Sequence, residues 1–240
     1  MRNMAIDMGN TRTKAGLFTG YQLESVLTNP EKNRLKGIVD ENNIERVIVC
    51  SVATNLEVFE AETGLEQVTK LTSETAVPIK NLYGTPHTLG MDRLAAVIGA
   101  QHLYPNQNSL VIDAGTTITY DFISKDAEYF GGGISPGIDL RFKALNQHTF
   151  KLPRIHAVNT PVPLIGSDTK SSIQSGVING VLAEIEGFIR SYEHKYPNLQ
   201  VVMCGGDAGY FETMLKAPKI VVPHLVLIGL NSIIMYHAQN

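Results

Sequence analysis

Asp7-Met8-Gly9-Asn10-Thr11 and Asp113-Ala114-Gly115-Thr116-Thr117 decide how this 240-residue chain folds, because the two stretches say nearly the same thing. Each follows a short apolar strand, Asn3 to Asp7 in one case and Leu110-Val111-Ile112 in the other. Each reads as strand, acidic residue, Gly-bearing tight turn, hydroxyl residues and a second strand. That second strand is Thr13 to Thr19 in the first copy and Thr117 to Ser124 in the second. A turn of this kind brings backbone N–H groups and Thr hydroxyls against phosphate and sets a carboxylate where it can hold a metal ion. A single Asp-x-Gly-Asn turn is ordinary hairpin chemistry. A second copy with the same acid and the same Gly spacing makes coincidence the weaker account. Two such hairpins can face each other across a cleft and grip one nucleotide from both sides, which is the equipment of a phosphotransferase.

Working outward, strands and helices alternate. Gln22 to Thr28 adds a third antiparallel strand, and Asn29-Pro30 opens a polar helix to about Asn42. Arg46 to Val52 reads as a buried strand and Ala76 to Leu82 as a short one. Thr88 to Leu103 carries Leu94, Val97 and Ile98 at helical spacing. Pro105, in the polar Tyr104 to Ser109 segment, marks a boundary between lobes spanning 1–105 and 106–240. The second lobe repeats the hairpin over Leu110 to Ser124, with a strand near Glu128 to Gly131, a Gly-rich loop and a helix from Ile138 to Gln147. A Pro-interrupted stretch, Lys151 to Ile165, precedes a long helix from Thr169 to Tyr196. Its apolar face is Ile173, Val177, Val181, Ile185, Phe188 and Tyr192. Gly176 and Gly180 invite close approach of another helix, either within the chain or across a dimer seam. Val201 to Met203, a Gly205-Gly206 turn and a helix from about Leu225 complete the expected α/β architecture of two similar lobes.

Composition narrows the function. Hydrophobic residues make up 43% and charged residues 18%, which suits a packed globular protein and not a disordered one. A formal net charge of −3 argues against nucleic acid, whose phosphate backbone demands a basic patch. No apolar run reaches bilayer-spanning length, so no membrane partner is expected. The N-terminus enters a strand almost at once, which leaves no room for a signal peptide and points to a cytoplasmic enzyme. Cys50 and Cys204 each end a β-branched run and read as buried strand ends. The seven His show no metal-ligand spacing.

Chemistry gathers in Gly90-Met91-Asp92-Arg93 at the start of a helix. An acid in a first helical turn has a bland explanation in the helix dipole, but a cation beside it does not. Asp92 is placed to accept the proton of an attacking hydroxyl, and Arg93 to bind an anionic part of the acceptor bidentately. Lys14 offers positive charge to a transferring phosphate. Gly131 to Gly137 and Cys204-Gly205-Gly206-Asp207 read as Gly-rich turns opening helices, where outward N–H groups favour an anion or a flat adenosine.

Asp7 to Lys14, Gly90 to Arg93, Asp113 to Thr117 and Gly132-Gly133-Ile134-Ser135-Pro136-Gly137 together, in order and spread over nearly the whole chain, strongly resemble type III pantothenate kinase. The resemblance implies an actin-like ATPase fold of two ribonuclease-H-like lobes with a nucleotide cleft between them. It implies ATP-dependent phosphorylation of pantothenate to 4′-phosphopantothenate, the first step of coenzyme A biosynthesis. It also implies Mg²⁺, a monovalent cation (K⁺ or NH₄⁺) and a homodimer with the acceptor pocket near the subunit interface. Carried over by position, Asp7, Met8, Gly9, Asn10, Thr11, Arg12, Thr13 and Lys14 form the first ATP phosphate loop, and Thr116 contacts ATP. Asp113 holds the monovalent cation. Gly90, Met91, Asp92 and Arg93 contact pantothenate, with Asp92 catalytic. Tyr83 and Thr169 line the pantothenate pocket, Thr169 of the partner subunit; a packed Tyr and a helix N-cap are the competing readings. Asp121 also fits the second hairpin's pattern, as a further candidate near metal or phosphate. A non-catalytic regulatory paralogue and a kinase of another small hydroxyl acceptor are the alternatives. Intact Asp7, Lys14, Asp92, Arg93 and Asp113 speak against the first, and the short chain against the sugar kinases.

Overall fold

The computed structural model describes residues 1–9, 11–51, 56–158 and 160–239. β1 (Arg2–Met8), β2 (Thr13–Thr19) and β3 (Gln22–Thr28) form the antiparallel start. A 3₁₀ turn at Lys32–Arg34 leads to α1 (Leu35–Glu41), β4 (Arg46–Ser51), α2 (Leu56–Thr63), β5 (Thr69–Lys70), β6 (Lys80–Asn81) and α3 (Met91–Leu103). There follow β7 (Ser109–Ala114), β8 (Thr117–Ile123), β9 (Glu128–Pro136), α4 (Ile138–Gln147) and α5 (Thr169–Lys195). β10 (Gln200–Cys204), α6 (Ala208–Met214), β11 (Ile220–Val221) and α7 (Leu225–Gln239) end the chain.

The compact units are not two consecutive halves. One comprises Met1–Asn106, Ile123–Gly131 and His224–Asn240, and the other Gln107–Phe122 and Gly132–Pro223. α7 returns to the first unit because it is apolar around most of its circumference and must be covered. Leu225, Leu227, Leu230 and Ile233 are all buried. α7 crosses α3 at backbone contact: a Cβ on Gly229 would fall 1.8 Å from the Ala95 carbonyl, and one on Gly99 2.4 Å from the Leu225 carbonyl. Only glycine permits that approach.

The first unit's sheet runs β3-β2-β1-β4-β5, with β1 antiparallel to β2 and parallel to β4. The two-residue period of β1 divides its work. Met4 and Ile6 join Val47, Val49, Leu35 and Phe59 in one core. Asn3, Ala5 and Asp7 point to the opposite face, where Asn3 Nδ2 donates to Asn231 Oδ1 of α7 at 2.9 Å. In the second unit the order is β11-β10-β7-β8-β9. Leu110, Ile112, Tyr120, Phe142 and Met203 form its core with Ile173, Val177, Val181 and Ile185 of α5, the face expected from the sequence. Phe188 and Tyr192 pack at its edge.

Several local expectations are corrected. The helix expected from Asn29-Pro30 starts later, as the Lys32–Arg34 turn and then α1. The strand expected over Ala76 to Leu82 shrinks to Lys80–Asn81, and the helix from Thr88 begins at Met91 after a 3₁₀ turn at Pro86–Thr88. The Arg46 strand closes at Ser51; its expected last residue, Val52, lies outside the described residues. α2 and β5 carried no clear signal. Gly131 to Pro136 is not a loop but the second part of β9. A Cβ on Gly132 would lie 1.5 Å from the Tyr120 carbonyl, so this glycine marks close approach of β9 to β8.

Candidate active site

The expected site residues fall into two groups, one in each unit. The first is organised by the β1 register. Lys14 of β2 stands directly opposite Asp7, and Cys50 of β4 stands beside it on the other side. Residues so paired share a sheet face about 4.5–5.5 Å apart. The turn between β1 and β2 is closed by Gly9 N donating to the Arg12 carbonyl at 3.1 Å. Asn10, also expected in this loop, lies outside the described residues.

α3 packs against β4, the strand that carries Cys50. Burial pushes the Cys50 thiol well above its ordinary pKa, and the Asp7 and Asp92 carboxylates push it further. Both carboxylates therefore act electrostatically on one buried thiol, and the register sets Lys14 opposite Asp7. His224 is held below its ordinary pKa by burial and by the charge of Lys14.

Gly90 is the N-cap of α3, and Arg93 N donates to Asp92 Oδ1 at 2.9 Å. A Cβ on residue 90 would meet that Oδ1 at 2.5 Å, so glycine here lets the carboxylate fold back over the helix start. Arg93 is 7% exposed, and its guanidinium carbon sits 5.6 Å from the centroid of the Tyr83 ring. Tyr83 is itself stacked on Tyr129, with centroids 6.2 Å apart. Gly131 (φ +94°) lets the ring lie flush, since a Cβ there would come within 2.7 Å of Tyr83 Cδ2. Tyr83 is thus a packed ring, held between Tyr129 and the Arg93 guanidinium. Cys50 and Gly131 were not expected in these places. The β-branched run ending at Cys50 gave its strand but not its neighbour, and no spacing rule links Gly131 to Tyr83.

The second group surrounds Asp113. β10 pairs Cys204 with Asp113, and Gly205 (φ +96°) turns the chain tightly against it. A Cβ on Gly205 would lie 2.4 Å from Asp113 Oδ1 and 2.3 Å from the Ala114 carbonyl. Asp207 N donates to that same carbonyl at 2.9 Å. Gly137 N donates to the Thr116 carbonyl at 3.0 Å, so the turn is braced from two sides. Thr116 is exposed. Asp121 is buried beside α5, where its charge adds to burial in raising the Tyr192 hydroxyl.

Thr169 opens α5 but does not cap it. Asp168 is the cap, accepting from Ser171 N at 2.8 Å while Ser171 Oγ accepts from Asp168 N at 3.0 Å. Thr169 lines a groove of about 460 Å³ with Leu145, Leu152, Ser172, Ile173 and Gly176. Among the described residues, a Cβ on Gly176 or Gly180 would meet nothing within 4 Å. Among the described residues no helix is long and apolar enough to cross a membrane.

The family model described as type III pantothenate kinase matches residues 3–191. A type III pantothenate kinase of Cytophaga hutchinsonii is 43% identical over 235 residues, covering 98% of this chain and 99% of that protein. One from Phocaeicola vulgatus is 43% identical over 239 residues, covering 98% of each. Among solved structures, a Baf family transcriptional activator from Campylobacter jejuni aligns with a TM-score of 0.63 at 20% identity, covering 99% of this chain and 100% of that one. A glucokinase from an Antarctic psychrotroph aligns at 0.55 and 12% identity, covering 98% and 99%. At such identities the structural likeness speaks for the fold alone, which is that of the actin-like sugar kinases.

Proposed function

We propose that this chain, which belongs to the type III pantothenate kinase family, phosphorylates pantothenate at the expense of ATP, with Asp92 as the proton acceptor. The observation that supports the assignment of roles is the pairing of Asp7 with Lys14 beside the Gly9–Arg12 turn, together with the Asp92 carboxylate folded over the start of α3. A cation and a phosphate-type turn belong to one hairpin, and the base stands at a helix start. In the reaction the primary hydroxyl oxygen of pantothenate forms a bond to the γ-phosphorus of ATP. The bond from that phosphorus to the bridging oxygen breaks, ADP leaves, and the hydroxyl proton passes to the Asp92 carboxylate. Phosphoryl transfer asks a protein mainly for positioning and charge, so a base with a few cations suffices.

The other residues take roles by their chemistry. Arg93, buried against Tyr83, offers a planar fork to the pantothenate carboxylate. Gly90 and Met91 admit the acceptor to the helix start, and Tyr83 lines its pocket. Asp7, Met8, Gly9, Asn10, Thr11, Arg12, Thr13 and Lys14 form the first phosphate loop, and Thr116 of the second turn holds ATP. A Mg²⁺ carried on nucleotide phosphates asks one or two carboxylates of a protein, and Asp7, at the end of its strand, offers one. When bound, that ion offsets charge on the phosphate oxygens. Asp113, with the Ala114 carbonyl close by, offers oxygen lone pairs that can coordinate K⁺ or accept hydrogen bonds from NH₄⁺.

The protein acts as a homodimer in this reading. Gly176 and Gly180 are exposed on α5, and Leu164 and Ile165 before it are 80% and 84% exposed. Exposed apolar surface of this kind favours association, and it brings Thr169 to the seam. Product analysis tests the reaction itself. Pantothenate incubated with MgATP and the protein gains one phosphoryl group on its primary hydroxyl, detected by mass and by phosphorus NMR. Recovery of unmodified pantothenate alongside phosphorylation of another acceptor would overturn it.

A further inference from the structure

Arg141 on α4 is the hub of a polar cluster that the reaction above does not use. Its Nε donates to the Pro136 carbonyl at 2.8 Å, and its Nη2 donates to Ser135 Oγ at 2.7 Å and to Glu184 Oε2 at 2.6 Å. Glu184, on α5, also accepts from the Tyr120 hydroxyl at 2.9 Å. The Tyr120 ring is buried and stacks on Phe188 with centroids 4.0 Å apart. Burial pushes the Glu184 carboxyl up, but hydrogen bonds from Arg141, Ser135 and Tyr120 outweigh it and hold the group below its ordinary pKa. An exposed ion pair is worth little. This one is about three-quarters covered and spends its donors on one short segment, so its purpose is sought in what it holds.

What it holds is Ser135-Pro136-Gly137, the junction of β9 and α4. Gly137 N donates to the Thr116 carbonyl at 3.0 Å. A Cβ on Gly137 would fall 2.0 Å from the Gly115 carbonyl and 2.7 Å from that of Thr116. The peptide groups of the second phosphate turn therefore rest on the segment that Arg141 clamps. We infer that Arg141 and Glu184 are positioning residues for nucleotide binding: they fix Ser135 to Gly137 and thereby set the Gly115-Thr116 peptides toward ATP. The inference rests on Thr116 contacting the nucleotide, as proposed above. A loosened support shell costs affinity through misplacement of groups that stay chemically intact.

The test reads nucleotide and acceptor separately. Arg141→Lys and Glu184→Gln are compared with the unaltered protein in titrations with ADP and Mg²⁺, in KM for ATP and for pantothenate, and in melting temperature. Lys143→Ala is the control, because its pair with Asp139 at 2.6 Å lies exposed on the same helix. The expected result is a rise of about tenfold in ADP Kd and in ATP KM for both variants, with pantothenate KM within about twofold and the control unchanged. Unchanged ADP affinity in a folded Arg141→Lys overturns the inference. So does a rise in both KM values that merely tracks a fall in melting temperature. If the unaltered protein binds ADP but leaves pantothenate unphosphorylated, the acceptor assignment fails while the ADP titrations still decide this one. If it binds no ADP, both fail.

Discussion

At the scale of single residues the account turns on Asp92. Asp92→Asn removes the proposed proton acceptor and keeps its shape, so kcat should fall by roughly 10²- to 10⁴-fold. ADP affinity should stay within about twofold, and a collapse of nucleotide binding would place Asp92 elsewhere in the chemistry. Gly90→Ala makes a subtler demand. Its new methyl would meet Asp92 Oδ1, the movable end of a side chain, at 2.5 Å. The backbone at 90 has φ −61°, which alanine adopts without strain. We predict that kcat drops by about tenfold or more in this variant with little change in melting temperature. Full activity would mean that the folded-back carboxylate is not the reacting one. The Gly90-Met91-Asp92-Arg93 stretch was legible in the sequence, since the cation beside the acid in a first helical turn defies the dipole rule that would explain the acid alone. Cys50 and Gly131 were not. Their roles come from strand neighbours and from a ring seated on a glycine, relations that sequence spacing does not encode.

At the scale of elements, the hairpins and long helices were legible because they satisfy periodicity over many residues; β2, β3 and α4 have the expected bounds. The short elements were not. α2 and β5 are decided by packing on β4, where tertiary contact overrides weak local preference. The Gly-rich stretch misled for a related reason: glycine that permits a turn also permits two strands to touch, and only the Tyr120 backbone shows which applies. The ends of α3 and α7 also set a pH response. His102, on α3, stacks on Tyr21 at 4.6 Å and is held below its ordinary pKa by burial. His224 is lowered by burial and by Lys14. Each binds its proton more weakly in the folded than in the unfolded chain. Their contribution to stability is complete above the unfolded value of 6.5 and is lost as pH falls from there through the folded values. Melting temperature should therefore decline between about pH 7.5 and pH 5.5, and His102→Gln/His224→Gln should flatten that slope. An equal slope in the double variant would assign the response to other groups.

At the scale of the whole molecule the chain reads as two α/β units, each built on a sheet that begins with a phosphate-type hairpin. That much was visible in the repeat of Asp-x-Gly. The return of α7 to the first unit was not, because an all-round apolar helix announces that it will be covered without saying by what. Association is the next claim at this scale. Sedimentation should find a dimer, and Gly176→Arg, which fills an open position on α5 with a bulky charge, should shift it to monomer. A monomeric unaltered protein would contradict the seam. The central claim is tested most directly by ADP release from MgATP, with and without pantothenate, in K⁺ and in Na⁺ at matched ionic strength. We predict release that depends on pantothenate and is faster in K⁺. Release indifferent to pantothenate, or none from folded, nucleotide-bound protein, would contradict the account.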